Sequence, residues 1–185
     1  MIENALDKRP VIVAIAGPNG AGKTTFFGSH LRQAGLRFVN ADEIARELGI
    51  SAYEAAQIAG ALRRELVRQR ESFVFETVFS DPVGEKLAFL VDAVAAGYNV
   101  VLCFIGIADP ETSEARIAMR VSQGGHDVPS EKLAGRFRRT IKNLKTAIQT
   151  LPIVLNFRQR QSRRSLPGTR RVSQRQAAYP FRTGS

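Results

Sequence analysis

The chain has 185 residues, of which 44% are hydrophobic and 24% charged, with a net charge of +10 and one cysteine. These values describe about one globular domain and exclude a disulfide scaffold, a collagen-like repeat or a wholly disordered chain. No apolar run approaches the roughly 20 residues of a membrane-spanning helix, and Met1–Arg9 lacks the apolar core of a secretory signal, so a cytoplasmic protein without membrane contact is expected.

The positive charge is not spread evenly. All acids lie before Leu133, while eight arginines and no acid follow Asn156. The body is nearly neutral, and the charge argument for a nucleic-acid partner attaches only to the tail.

In chain order, Val11 to Ala16 is a continuous apolar run, as expected of a strand buried on both faces. A glycine-rich segment follows, then a helix from Lys23 to about Ala34. Arg37–Asn40 reads as a second strand, and Asp42–Leu48 as a helix closed by Gly49. Ser51 and Glu54 stand at capping-box spacing before a long helix reaching about Arg70. That helix is expected to bury Ile58, Leu62 and Leu66 and to expose Arg63, Arg64, Arg68 and Arg70. Ser72–Thr77 is a third strand. Asp81-Pro82 reads as an N-cap and first helical residue, with the helix ending at Gly97. Asn99–Ile105 is a fourth strand and contains Cys103, expected to be a buried thiol. A helix from Asp109-Pro110 to Gly124-Gly125, another from Glu131 to about Thr150 after Ser130, and a fifth strand near Pro152–Phe157 complete the pattern. Alternating strands and helices imply an α/β three-layer sandwich with about five parallel strands and helices on both faces. Residues 1–157 are expected to form this domain, and 158–185 a basic, disordered tail. The tail reads either as a basic arm for nucleic acid or an acidic partner, or as a segment translated out of frame.

Gly17-Pro18-Asn19-Gly20-Ala21-Gly22-Lys23-Thr24 fits G-x-x-x-x-G-K-[ST] in full and is followed by Thr25. Its glycines let backbone N–H groups turn toward phosphates, and the following helix contributes its N-terminal partial charge. Lys23 is expected to reach the β- and γ-phosphates of ATP, and Thr24 to offer its hydroxyl to Mg²⁺. The same words resemble the loop of transporter-type ATPases. Ser122-Gln123-Gly124-Gly125 only echoes that family's signature, and no apolar strand ends in Asp-Glu.

Phosphoryl transfer also needs a group to take or orient the acceptor's proton and positive charge for the moving phosphate. Asp42 follows the second strand, at the edge where parallel sheets bind ligands; it serves there or caps the next helix. Glu76, with Thr77 beside it, lies in an apolar strand, where a carboxylate is costly unless paired or near a metal. Arg120, Arg136 and Arg139 flank the glycine-containing segment 120–129 and suit a lid over phosphates, or else a solvated basic face.

The words GPNGAGKTT, FVNADEIA, SFVFETVFS and RVSQGGHDVP followed by GRFRRTIKNL resemble the zeta toxins and zeta-toxin-like P-loop kinases over about Val11–Asn143. The resemblance implies a kinase of a small hydroxylated molecule, in characterised members the 3′-hydroxyl of UDP-N-acetylglucosamine, with an antitoxin as partner. It implies Asp42 as catalytic base, Glu76 beside substrate and metal, and lid arginines at Arg120 and at Arg136 or Arg139. Two other readings stand beside it: a nucleic-acid-end kinase or repair ATPase, and a regulatory module that binds nucleotide without turnover.

Overall fold

The computed structural model describes residues 2–106, 130–158 and 179–180. The elements are α1 (Ile2–Leu6), β1 (Val11–Ala16), α2 (Lys23–His30), a 3₁₀ turn (Arg32–Ala34), β2 (Arg37–Val39), α3 (Ala41–Leu48), α4 (Ala52–Arg68), β3 (Phe73–Thr77), α5 (Glu85–Ala95), β4 (Asn99–Gly106), α6 (Ser130–Thr150), β5 (Ile153–Arg158) and β6 (Tyr179–Pro180). The sheet order is β2-β3-β1-β4-β5-β6. The first five strands are parallel. The expected doubly covered parallel sheet is therefore present. The short β6 adds an antiparallel edge, pairing Tyr179 with Asn156 and Pro180 with Leu155. The expected helix over 109–125 and the rest of the tail lie outside the described residues.

β1 shows why the sheet is central: all six of its residues are fully buried. Burying one such aliphatic side chain stabilises by about 1.5–3 kcal/mol, and alternate residues serve opposite faces. Val11, Val13 and Ile15 pack with Val74, Cys103 and Ile105 against Phe26, Phe27 and Leu31 of the α2 side. Ile12, Ala14 and Ala16 pack with Phe73, Phe75 and Leu102 against residues of α4, α5 and α6. Burial raises the Cys103 thiol far above its ordinary range, so it remains a protonated, apolar core group.

Two helix boundaries differ from the sequence reading by three or more residues, and one helix buries a different face. The helix expected to reach Ala34 stops at His30, and Leu31 turns the chain into a 3₁₀ segment. The helix expected from Pro82 starts at Glu85, because Gly84, left-handed at φ 74°, provides the cap. Asp81 sits before it, its Oδ2 accepting the Lys86 N–H at 3.4 Å. In α4 the capping box of Ser51 and Glu54 is formed, but the buried stripe is Ala55, Ala59, Gly60, Arg63 and Leu66. Ile58 is 42% exposed and Arg63 only 7%. The small residues let α4 lie close to the sheet, and the Arg63 stem supplies the apolar contact that Ile58 was expected to make.

Candidate functional site

The glycine-rich segment leaves the carboxyl end of β1 at the centre of the sheet. Gly17 has φ 154°, and a Cβ there would stand 2.5 Å from the Ile105 carbonyl oxygen of β4. Only glycine allows that approach. Gly22 is left-handed at φ 81°, and no side chain caps α2. The fold therefore presents a helix N-terminus of eight residues' length behind a loop threaded by glycines, a cradle whose geometry fits a chain of phosphates.

Behind this loop four side chains converge. Lys23 is buried, with its Nζ donating to the Pro18 carbonyl at 3.2 Å and lying 3.8 Å from Glu76 Oε1. Thr24 Oγ1 donates to Glu76 Oε2 at 2.8 Å. Asn40 Nδ2 donates to the same oxygen at 3.3 Å. Glu76 sits opposite Ile15 in the β1–β3 register, on the face that meets α2. Burial raises the Glu76 carboxyl above its ordinary range. The Lys23 charge and the Thr24 hydrogen bond oppose that shift, and Asp42 and Glu43 reinforce it.

Asn40 was not singled out in the sequence. It is buried at 5% exposure and uses both halves of its amide. Its Oδ1 accepts the Asp42 N–H at 2.8 Å and caps α3, while its Nδ2 holds Glu76. The signal that could have found it is the residue type: asparagine between a strand and a helix is a preferred N-cap. Capping by Asn40 also means that Asp42, in the first turn of α3 and exposed, is not the cap.

Thr24 Oγ1 and Glu76 Oε2 are separated by the edge length of an octahedron with ligands at about 2.1 Å, and the pair fits two positions on Mg²⁺. No cluster of three or more His, Cys, Asp or Glu occurs among the described residues. An ion here would draw its other ligands from phosphates and water, as Mg²⁺ commonly does.

Of the other expected site residues, Thr77 lies at the end of β3 with its Oγ1 accepting the Phe79 N–H at 3.1 Å. Thr25 is exposed in the first turn of α2. Arg136 is half-buried on α6. Arg139 donates from Nε to the Ser80 carbonyl at 2.9 Å. Neither arginine shares a hydrogen bond or ion pair with Lys23, Asp42 or Glu76 among the described residues. Arg120 and segment 120–129 lie outside the described residues. The same helix face that carries Arg139 also pins the segment after β3. Thr140 Oγ1 donates to Val78 O at 3.0 Å, and Asn143 Nδ2 to Phe79 O at 3.1 Å and Asp81 O at 3.0 Å. Phe79 there holds a left-handed φ of 61°, a conformation that costs a non-glycine residue about 1–3 kcal/mol.

A family model described as an AAA domain matches residues 12–144. No curated protein matches the chain. Among solved structures, a chain of the AvrRxo1-ORF1:-ORF2 complex with ATP is similar at 19% identity and TM-score 0.65, with 85% of this chain and 58% of that one covered. A chain of the PezAT toxin–antitoxin system of Streptococcus pneumoniae is similar at 18% identity and TM-score 0.57, covering 82% and 69%. A chain of the Pnkp1/Rnl/Hen1 RNA repair complex is similar at 16% identity and TM-score 0.60, covering 75% and 46%. At these identities the likeness is one of fold. The chain spans little more than half the length of the AvrRxo1 chain it matches.

Proposed function

The chain belongs to the AAA domain family, and from that premise we propose that it is an ATP-dependent kinase of a small hydroxylated molecule. One observation carries the reading: Glu76, a mostly buried carboxylate, is held by Lys23, Thr24 and Asn40 beside the phosphate loop, with the Asp42 charge near it. A purely structural nucleotide site has no need of a second, exposed carboxylate next to that cluster, whereas phosphoryl transfer needs a group that takes or orients the attacking oxygen's proton.

Each residue has a role in this reading. The loop amides and Lys23 bind the β- and γ-phosphates and offset the charge that grows on the leaving oxygen. Thr24 and Glu76 would hold Mg²⁺, which supplies charge neutralisation when bound. Asp42 accepts the proton of the acceptor hydroxyl as that oxygen bonds to the γ-phosphorus and the bridge to the β-phosphate breaks. The products are ADP and a phosphorylated acceptor, with the proton on Asp42. Asn40 keeps Asp42 and Glu76 in fixed relation. Arg120, Arg136 and Arg139 are proposed to close over the phosphates from the α6 side, Arg139 after leaving Ser80.

Within this class we favour the zeta-toxin type, with a nucleotide sugar such as UDP-N-acetylglucosamine as acceptor and an antitoxin as partner. The sequence words around Gly17, Asn40, Glu76 and Arg136 support it, as does the fold shared with the PezAT chain. The test is to incubate the full chain with γ-labelled ATP, Mg²⁺ and a panel of nucleotide sugars and other hydroxylated metabolites. Label on one small molecule supports the reading. Label on RNA or DNA ends would transfer it to nucleic-acid repair, and nucleotide binding without turnover would leave a regulatory module.

A further inference from the structure

The sheet buries a second charge that the kinase reading does not use. Arg63 of α4 is 7% exposed. Its guanidinium lies 4.9 Å from the centre of the Phe75 ring and 5.8 Å from that of Phe89. Such stacking satisfies the faces of the planar cation and leaves its N–H edge unfilled. Among the described residues no hydrogen bond or ion pair reaches that edge. The guanidinium nitrogens are not among the fully buried atoms left without a partner, so this edge meets solvent, and an oxyanion could replace water there.

Its surroundings favour an anion. A Cβ built on buried Gly60 would stand 3.7 Å from Arg63 Nη2 and 3.7 Å from Arg64 Nη1, so both guanidinium groups converge beside a residue with no side chain. The countercharge facing them is Glu85 of α5, which is itself engaged by Lys86 at 3.1 Å and is largely exposed. Burial and Arg64 both lower the Arg63 proton affinity, and Glu85 opposes them. The location is also suggestive. α4 ends four residues before β3 begins, so the direction from Arg63 back to Gly60 leads toward the carboxyl edge of the sheet. Glu85, at the start of the helix that follows β3, marks the same edge. Glu76 opens on that edge from the other face.

We propose that Arg63 and Arg64 form a receptor for an anionic group, phosphate or carboxylate, carried by the molecule that is phosphorylated. Calling that molecule an acceptor rests on the kinase reading; the anion site itself does not. Arginine's fork suits either oxyanion. Phosphate would indicate a nucleotide or sugar phosphate, and carboxylate a sugar or hydroxy acid.

The test is thermal melting of the full chain saturated with MgADP, titrated with sodium phosphate in one arm and sodium succinate in the other, with ionic strength held constant by chloride. At least one anion should raise the parent's Tm in a saturable way. Arg63→Met should weaken that response at least tenfold, keep the response to MgADP, and melt close to the parent in chloride alone, since it keeps an apolar stem against Phe75 and Phe89. Arg63→Lys, which keeps the charge and loses the fork, should also respond about tenfold more weakly, and it serves if the methionine variant does not fold. No response of the parent to either anion, or equal responses of parent and variants, overturns the proposal. Failure of the parent to respond to MgADP counts instead against the kinase reading.

Discussion

Glu76, mostly buried, and Arg63, buried, are charges on opposite faces of the sheet at β3, and their surroundings differ. Glu76 has Lys23, Thr24 and Asn40 within reach. Among the described residues, Arg63 has two aromatic rings and no hydrogen bond. A charge whose partners come from α2 and from the cap of α3 is preassembled, and its neighbours cannot be changed one at a time without loss. A charge stacked on rings, with no protein acceptor among the described residues, is the one we propose to meet a group that arrives from solution. In the proposed reading the Glu76 face handles the phosphates and the acceptor's hydroxyl, and the Arg63 face would hold the acceptor's anionic group.

The largest effect should come from breaking the assembled face. Lys23→Ala removes a charge aimed at the transferring phosphate and should lower transfer by 10³-fold or more while the protein still folds, as circular dichroism would show. Asp42→Asn keeps shape and cap and removes basicity, so transfer should fall by about 10²–10⁴-fold with ATP affinity retained in calorimetry. Loss of ATP binding instead would give Asp42 a metal-binding role.

The Glu76 contrast can be sharpened by pH. Its carboxyl is raised in the folded protein because burial disfavours the anion, so between the ordinary glutamate range and its raised value the folded state holds more proton than the unfolded one. Stability contributed by this group is therefore present at low pH and declines as pH rises through that window. In nucleotide-free protein, Glu76→Gln should flatten this decline in chemical unfolding measured across pH. An unchanged slope would place the titration elsewhere.

The smallest effect should lie outside both charges. Asn143→Ala removes two hydrogen bonds to the segment after β3 and should cost about 1–3 kcal/mol. For a chain of this size each kcal/mol corresponds to about 2–4 °C in Tm. Because that segment holds Phe79 in its left-handed conformation, the loss should also raise the acceptor KM more than the ATP KM. Equal changes would make Asn143 a structural support only.

The contrast also explains what could be read from the sequence. The phosphate loop was legible because glycine spacing, lysine and threonine are required by backbone geometry, and β1, β3 and β4 because doubly buried strands are continuously apolar. Glu76 was legible because a carboxylate interrupts such a run. Asn40 was not, since its role depends on a bond to β3 from 36 residues away. Arg63 was misplaced on the charged side because a helical stripe through Ile58 and one through Ala59 both include Leu62 and Leu66. Only the sheet's demand for small residues at Ala55, Ala59 and Gly60 decides between them. The sequence places the start of α5 three residues early because Asp81-Pro82 has cap chemistry, while the left-handed Gly84 supplies the actual turn.

The central claim is that the Glu76 face moves phosphate to a small hydroxyl and that Asp42 takes the proton. The most direct measurement follows label from γ-labelled ATP into the metabolite panel for the parent and Asp42→Asn side by side, with ATP binding measured on both. The account predicts one labelled small molecule with the parent, a fall of at least 10²-fold with the variant, and equal ATP binding. Label found only as free phosphate, or equal transfer by both proteins, would contradict it.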